Sequence, residues 1–358
     1  MKKSEIEDKK TLSSWYNYSG PEDDVILSSR IKLVRNLADF PFVVKASKMD
    51  KERICSIICD AFNQKEEYAY IKKSDISDFG RKILFDKNIL PLDPKFDFSG
   101  LFLSSGENLY ALLNNKEHLK LIAFASGFQP EYLMQEIYKL DEYLQSKLQF
   151  AASYEFGYLT SQLKDCGTGM KLSLRIFIPS TVIQNAFTDL IKYLKDRHFS
   201  IKSVFENSAR NCIFDIFPET SFDGSELDQL AEMQALGTYI LKTERKFRSK
   251  LADNNSTIVL DLVKKMYVMG MNALLLDYSE VEEILNAIKL GLQLGILSGI
   301  EESELNALYY TTKDGHLIYL IDNYSFSYED DIKNSLSMQI QRLRAVVVQQ
   351  AMGKIIFK

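Results

Sequence analysis

The distribution of hydrophobic patterns along the chain is the feature that most restricts its fold. Short alternating or apolar segments, which are typical of β-strands, recur between helical segments up to about residue 220. Beyond residue 255 nearly every segment has the helical spacing of apolar residues. The sequence therefore predicts an α+β domain over 22–254 and a helical domain over 255–358, after an N-terminal arm over 1–21.

Individual segments give the expected elements of the first domain. Helices are predicted over 50–62, 130–148, 181–197 and 225–250. Strands are predicted at 25–27, 101–103, 109–113 and 172–178, with a pair of strands within 201–217. In the arm, Trp15 and Tyr16 are the expected anchors.

One helix of the second domain has a start signal and a clear apolar face. Ser279 and Glu282 have the spacing of a capping box, in which two side chains satisfy free amides at the start of a helix. The apolar face that follows contains Leu285, Ile288, Leu292 and Ile296. We expect this face to be core, and a homodimer through it is the alternative.

Composition excludes several classes of protein. Of 358 residues, 46% are hydrophobic and 26% are charged, which excludes a disordered chain and a fibrous repeat. The net charge of −5 makes general binding to nucleic acid or to an anionic membrane unfavourable, although a local basic pocket is compatible with it. No apolar segment follows the basic start or approaches the ~20 residues of a membrane span, so we expect a cytoplasmic protein.

The four cysteines and three histidines have no spacing typical of a metal site. Cys55 and Cys59 lie four apart among isoleucines and are expected to be small core residues of one helix. We therefore predict reduced thiols and no metal centre formed by the protein itself.

The segment 28–36 contains the candidate functional residues of the first strand. Alternation along a strand places Arg30 and Lys32 on one face, and Ile31 and Leu33 on the face toward a core. Two adjacent cations repel each other, so we expect an anion or an ordered acidic side chain against them. A solvated polar face is the alternative.

This segment, SSRIKLVRNLADFPF (28–42), resembles the opening motif of the ATP:guanido phosphotransferases, the family of arginine and creatine kinases, and most closely its bacterial protein-arginine kinase branch. Segments similar to further family motifs follow in the family's order. They are NNKEHLK (114–120, family NEEDHLR), GYLTSQLKDCGTGMK (157–171, family GYLTxCPTNxGTGLR) and KLG (289–291, family RLG). The resemblance implies the guanido kinase fold, a large and mainly antiparallel sheet flanked by helices, followed by a helical C-terminal domain.

The resemblance also implies a site for the phosphates of ATP, with Mg²⁺. The implied phosphate-binding residues are Ser29, Arg30, Lys32, Lys120 and Lys171. Three of the four cations are lysine where the family prefers arginine, which grips phosphate with a rigid fork. We therefore expect weakened nucleotide binding, and no cofactor if that binding is lost.

Positions that carry catalysis in the family are substituted in this chain. Asn115 and Lys116 stand in place of two glutamates, Gln162 in place of a cysteine, and Asn88 in place of a histidine. A guanidinium has a pKa above about 12, so transfer to it requires a placed base. The family's RGxxGE motif is absent, and only Glu206, with a one-residue shift, could replace its glutamate.

A phosphoarginine-sensing motif of the family, RDxxRA, is retained only in its second half, with Arg344 as its remnant; Ile340 and Gln341 replace its first two residues. The sequence thus predicts a catalytically impaired relative that acts as a binding or regulatory subunit in protein quality control. Its implied partners are an active paralogue, a chaperone-protease or a stress regulator, and neither nucleic acid nor a membrane. The alternative is an active arginine kinase with a rearranged site, in which Glu117 or Glu206 is the base.

Overall fold

The structure is a computed structural model, and it describes residues 14–63, 65, 67–91, 96–204, 211–221, 224–254 and 256–358. The strands are β1 Ile26–Arg35, β2 Tyr68–Lys72, β3 Gly100–Ser104, β4 Leu109–Leu113, β5 Leu119–Ser126, β6 Ala152–Ser153, β7 Gly157–Tyr158, β8 Met170–Phe177, β9 Phe199–Ser203, β10 Ile213–Pro218, β11 Leu297–Ser298 and β12 Ile356–Phe357. The helices are α1 Lys48–Phe62, α2 Asp78–Asp86, α3 Pro130–Gln145, α4 Pro179–Ile183, α5 Phe187–Lys195, α6 Glu226–Asn254, α7 Ser256–Asn272, α8 Tyr278–Gln293, α9 Glu302–Thr311, α10 Asp314–Asn323 and α11 Leu336–Met352.

A single large sheet organises the first two thirds of the chain. Its eight strands lie in the order β2-β3-β4-β5-β1-β8-β10-β9, and every neighbouring pair is antiparallel. β1 is therefore central, between β5 and β8. This arrangement confirms the α+β class and the mainly antiparallel sheet.

The two faces of the sheet have different chemistry because side chains alternate along β1. Ile31 and Leu33 are fully buried in the main core, which α1, α3 and α6 cover. The opposite face combines a smaller apolar cluster, which includes Tyr110 and Phe124, with the polar side chains of β1 and β8. The helices thus leave the polar part of one face for a site.

The C-terminal helices form a second core. Leu285 and Ile288 have no exposed surface, and Leu292 and Ile296 pack against the same cluster. The apolar face of α8 therefore packs into the core of its own chain, with Leu292 and Ile296 partly buried. A homodimer through the C-terminal domain stays a prediction.

The boundaries of three predicted helices are wrong. The segment 181–197 forms two helices, α4 and α5, separated by Asn185, whose φ of 58° is incompatible with a continuing helix. The helix predicted over 130–148 ends at Gln145. The N-cap of α8 is Asp277 rather than Ser279. Glu280 Oε2 accepts the Asp277 N–H at 2.7 Å, whereas Glu282, the predicted partner of Ser279, lies on the buried face of the helix.

The domain boundary near residue 254 stays a prediction. α6 ends at Asn254 and α7 begins at Ser256, so a helix break lies at the predicted position. Cores on the two sides are nevertheless in contact, since Phe177 and Ile213 of the sheet pack into the C-terminal cluster. None of the helices in the described ranges is both long enough and apolar enough to span a bilayer.

Candidate functional site

Strand register brings four of the predicted phosphate-binding side chains onto one face of the sheet. Lys32 of β1 lies opposite Lys171 of β8, and Arg30 lies opposite Ser173. On the other side of β1, Lys120 of β5 lies opposite Val34, two residues along from Lys32. Paired residues share a face and residues two apart share a face, so all four cations converge. We call Arg30, Lys32, Lys120 and Lys171 the cation cluster.

Ser29, the fifth predicted residue, is not part of this cluster. It has no exposed surface and lies on the opposite face, where its Oγ donates to Gly127 O at 2.8 Å and accepts from Gln129 N at 2.9 Å. Ser29 therefore ties β1 to the turn before α3, and its side chain does not reach the cations.

Lys32 is the residue of the cluster whose positive charge is least balanced by nearby side chains. In the part of the chain that the structure describes, its ammonium has neither a hydrogen bond nor an ion pair. Burial lowers the pKa of Lys32 to about 8. The charges of Lys120, Lys171 and Arg30 lower it further, and the carboxylate of Asp165 partly opposes them. An anion bound here would relieve both the desolvation and the mutual repulsion of the cations.

Lys120 has a similar environment at the edge of the cluster. Burial lowers its pKa to about 8, and the nearby ammonium of Lys116 lowers it further. Its Nζ donates to Asn115 Oδ1 at 3.1 Å, while Asn115 Nδ2 donates to Asp97 O at 2.8 Å. Asn115 is thus held beside the cluster as a neutral amide, and Lys116 adds an exposed cation.

Asp165 is the acidic partner that the sequence reasoning expected but did not identify. Its Oδ1 lies 2.6 Å from Lys171 Nζ, which also donates to Glu219 O at 3.1 Å. Burial alone would raise the pKa of Asp165, but the Lys171 hydrogen bond and the charge of Lys32 hold it below its usual value. Its place in the loop six residues before Lys171 was the available signal.

Glu117, the base in the alternative hypothesis, has a structural role. It is 4% exposed, and its carboxylate accepts Asn36 Nδ2 at 2.6 Å, Ser161 N at 3.0 Å and Ser161 Oγ at 2.5 Å. These bonds fasten the loop after β7 to the end of β1. A carboxylate with all these donors stabilises the loop and is poorly placed to take a proton from a substrate.

The loop that contains Gln162 presents no thiol to the cluster. Gln162 precedes a short 3-10 helix, Leu163–Asp165, and its backbone carbonyl accepts Thr160 Oγ1 at 2.7 Å. Cys166 is 4% exposed, and its Sγ lies 3.5 Å from Thr160 Oγ1 in the interior. The shifted cysteine therefore does not replace the one that the family motif carries at position 162.

Beyond Arg30 the same face is filled by aromatic and paired charged side chains. Trp15 stacks on Phe124 with ring centroids 5.3 Å apart, and Arg175 forms an ion pair with Asp215 at 2.8 Å. Asn88, the substituted histidine position, lines with these residues a cavity of about 10 Å³, which has room for little more than a water molecule. These side chains therefore close the cation cluster on the side of Arg30.

Arg344, the remnant of the phosphoarginine-sensing motif, makes its contacts with other elements than the cation cluster. Arg344 is 2% exposed and is used inside the C-terminal region: it donates to Thr312 O and Leu276 O, each at 2.8 Å, and pairs with Asp314. Glu206 lies outside the described residues. Among the residues that are described, no group of three or more His, Cys, Asp or Glu side chains could hold a metal ion.

Comparison with known proteins now gives the family. Residues 49–247 match the model of the ATP:guanido phosphotransferase C-terminal catalytic domain. The chain belongs to this family. The resemblance inferred from the sequence motifs is thereby confirmed.

Curated relatives carry the name protein-arginine kinase. The chain is 27% identical over 332 residues to that of Halothermothrix orenii, with 91% of this chain and 95% of the relative covered. It is 26% identical over 314 residues to that of Bacillus subtilis, with 86% of each covered. These matches place the chain in the protein-arginine kinase branch of the family.

Solved structures share the fold at lower identity. A lombricine kinase aligns with a TM-score of 0.57 and 13% identity, over 65% of this chain and 69% of that one. The duplicated taurocyamine kinase of Schistosoma mansoni, with bound transition state analog components, aligns with a TM-score of 0.54 and 18% identity over 63% of this chain. The chain spans 33% of the length of that duplicated protein.

Proposed function

We propose that this chain binds a phosphate-bearing ligand at the cation cluster, is impaired in phosphoryl transfer to a guanidinium, and acts as a binding or regulatory subunit in protein quality control. One observation carries the proposal: four cations converge, and the described acids beside them are already used. Asp165 pairs with Lys171, and Glu117 binds Ser161 and Asn36. The proposal therefore describes a pseudokinase.

The cation cluster suits the phosphates of ATP as a substrate. Lys32 has no described partner of its own, and Arg30, Lys120 and Lys171 surround the same patch of the sheet face. Lysines bind phosphate as point charges, so the expected affinity is lower than for a set of arginines. Mg²⁺ would enter with the nucleotide and neutralise part of the phosphate charge.

Transfer to an arginine side chain meets two obstacles at this site. A guanidinium with a pKa above about 12 needs a base, and an amide such as Asn115 accepts no proton at neutral pH. Lys116 in addition places a positive charge where a cationic substrate would approach, and like charges repel. Removing one general base lowers a rate by roughly 10²- to 10⁴-fold, and several losses together leave little activity.

The proposed role as a binding or regulatory subunit is supported by the scaffold that this chain shares with its relatives. The relatives' name states that they act on arginine in proteins, and this chain keeps their scaffold over most of its length. A family member that binds but does not transfer would serve an active paralogue, a chaperone-protease or a stress regulator as a partner. The alternative of an active kinase loses support at Glu117, whose carboxylate is fully engaged.

The test is incubation with MgATP and an arginine-rich histone, followed by ³¹P NMR for acid-labile phosphoarginine. We expect no phosphoarginine above a blank without protein, while the protein-arginine kinase of Bacillus subtilis in parallel gives a signal. Phosphoarginine that forms with this chain and disappears in Arg30→Ala would overturn the proposal.

Binding is tested separately, by calorimetric titration with MgATP or inorganic pyrophosphate. We expect heat of binding that is lost in a Lys32→Met/Lys171→Met double variant. A wild-type chain that shows no heat at millimolar concentrations of either ligand contradicts the phosphate-binding part. Exposed Lys72 on β2 supplies the matched control, Lys72→Met, which should bind as the wild type does.

A further inference from the structure

Part of the N-terminal arm lies on the sheet face directly beside the cation cluster. This part, residues 14–17, includes the short 3-10 helix Trp15–Asn17. Phe124 of β5 lies opposite Arg30 in the strand register, and the Trp15 ring stacks on the Phe124 ring, with an angle of 5° and centroids 5.3 Å apart. The indole is therefore a flat aromatic group next to one of the cations proposed to bind phosphate.

Ring contacts and a side-chain hydrogen bond hold this part of the arm in place. Trp15 and Tyr16 both contact the ring of Tyr310, with centroids 5.6 Å and 4.5 Å apart, respectively. Ser14 Oγ donates to Glu107 Oε2 at 2.6 Å. The three residues after Tyr16 are exposed. The arm can therefore leave the sheet by a local opening that keeps the strands paired.

The indole fills the space beside Arg30. Trp15, Arg30, Phe124 and Ser173 line the same cavity, which measures only about 10 Å³. A space of this size holds about one water molecule. A nucleobase therefore cannot lie on Phe124 while Trp15 is there.

The sheet face offers adjacent surfaces for the two parts of a nucleotide. The cations suit its phosphates, and Phe124 suits its base, because nucleobases stack on aromatic side chains. On the side of Lys171 the cluster is instead bordered by the carboxylate of Asp165. The base of a nucleotide whose phosphates lie at the cluster would therefore compete with Trp15 for the Phe124 ring.

We propose that Trp15 is a specificity-determining residue of the cation cluster and that the arm makes an autoinhibitory contact there. The indole occupies the place of the base, so a nucleotide binds fully only when the arm leaves the sheet face. A ligand made of phosphates alone binds with the arm in place. The inference rests on the proposed binding of phosphate at the cluster. Because opening the arm breaks its ring contacts, it lowers the apparent affinity for nucleotides.

Magnesium tripolyphosphate and MgATP are suitable probes, because both carry three phosphates and only ATP carries a nucleoside. In calorimetric titrations of the full chain, Trp15→Ala should bind MgATP at least about fivefold more tightly than the wild type, since the wild type has to break two ring contacts of Trp15 first. The affinity for tripolyphosphate should stay within about twofold. Tyr18, which is 55% exposed on the same arm, supplies the matched control Tyr18→Ala, which should bind both probes as the wild type does.

A second measurement needs no substitution, because Trp15 is the only tryptophan of the chain. Its fluorescence should shift to the red with MgATP, as the indole becomes exposed, and should not shift with tripolyphosphate. N-acetyltryptophanamide corrects for the light that ATP absorbs.

Two failures can be told apart. If tripolyphosphate binds, the proposed phosphate site stands. Equal MgATP affinity of the wild type and Trp15→Ala, or unchanged emission at saturating MgATP, then overturns the inference alone. If neither probe binds to either chain, the proposed phosphate site is wrong, and the inference is overturned with it.

Discussion

Asp165 neutralises one of the four cations in the cluster, through an ion pair in which its Oδ1 lies 2.6 Å from Lys171 Nζ. Both side chains are mostly buried, with 17% and 15% of their surface exposed, respectively. The pair therefore reduces the positive potential that a phosphate ligand would meet, and it holds the connection 159–169 against the start of β8.

Asp165→Asn is expected to strengthen anion binding. The substitution keeps the shape of the side chain and removes one negative charge, which frees Lys171. Because a partly buried charge interaction is worth about 1 kcal/mol, we expect pyrophosphate affinity to rise roughly fivefold. Calorimetric titration measures it, with exposed Glu155→Gln as the control that should not change the affinity. Weaker binding in Asp165→Asn would mean that the loop position matters more than the charge.

The free energy of unfolding should depend on pH because the ammonium of Lys32 is buried. Its pKa falls to about 8 in the folded chain, against 10.5 for the free side chain, mainly through burial. Between these values the unfolded state binds more protons than the folded state, so the contribution of Lys32 to the free energy of unfolding rises with pH over that window. Below about pH 8 both states are protonated, and the destabilisation is present in full.

Lys32→Met should therefore be more stable than the wild type at about pH 7.5, with a smaller difference at about pH 9.5. Urea unfolding at the two pH values measures both differences. The exposed control Lys72→Met should differ from the wild type by less than about 0.5 kcal/mol at both pH values. A pH-independent difference for Lys32→Met would show that its ammonium is not destabilised by burial.

Anion binding should also weaken as the pH rises. Lys32 and Lys120 both have a pKa of about 8 in the unliganded chain, so deprotonation removes positive charge from the cluster above that pH. We expect the Kd for pyrophosphate to increase between about pH 7 and pH 9. Lys32→Arg/Lys120→Arg should flatten this dependence, because arginine stays protonated. An equally steep dependence in the double variant would locate the titrating group elsewhere.

Glu117→Gln tests the structural role of the buried carboxylate. The substitution removes the charge that accepts Asn36 Nδ2 and the N–H and Oγ of Ser161. Hydrogen bonds to a charged group contribute about 1.5–3 kcal/mol each, so we expect a loss of at least about 2 kcal/mol in the free energy of unfolding. Glu155→Gln on the surface should change it by less than about 0.5 kcal/mol. A loss as small as that of the control would show that the Glu117 carboxylate is available for another role.

Arg35 and Asp141 form an ion pair at 2.8 Å with no exposed surface on either side chain, and this pair links β1 to α3. Asp141→Asn leaves a buried guanidinium without its counter-charge, and we expect a loss of about 3–5 kcal/mol in unfolding free energy. The double variant Arg35→Met/Asp141→Leu should recover most of that loss, because neither charge is then buried alone. Denaturant unfolding of the three chains checks both statements. A double variant less stable than Asp141→Asn would contradict them.

Local sequence patterns determined much of the fold and part of the site. Alternation along 28–35 placed Arg30 and Lys32 on one face, and it also placed Ser29 on the other, although the family motif suggested a phosphate-binding role for that residue. Ordered motifs identified the family without coordinates. Local patterns predicted the wrong N-cap for α8, because Ser279–Glu282 and Asp277–Glu280 both have the three-residue spacing of a capping box. They also missed the break between α4 and α5, where Asn185 adopts a left-handed conformation.

By itself the sequence determined the period-two faces of the strands, the helical character of the C-terminal region and the substitutions at Asn115, Lys116 and Gln162, because these depend on residue type and short spacing. The family motifs grouped Lys120 and Lys171 with Arg30 and Lys32, but only the tertiary structure decided that these four side chains share one sheet face. It also decided that Asp165 pairs within that cluster and that Glu117 binds Asn36 and Ser161. Each of those contacts joins residues from different strands or loops, so it depends on strand register and on how loops fold over the sheet. Neither can be derived from neighbouring residues along the chain.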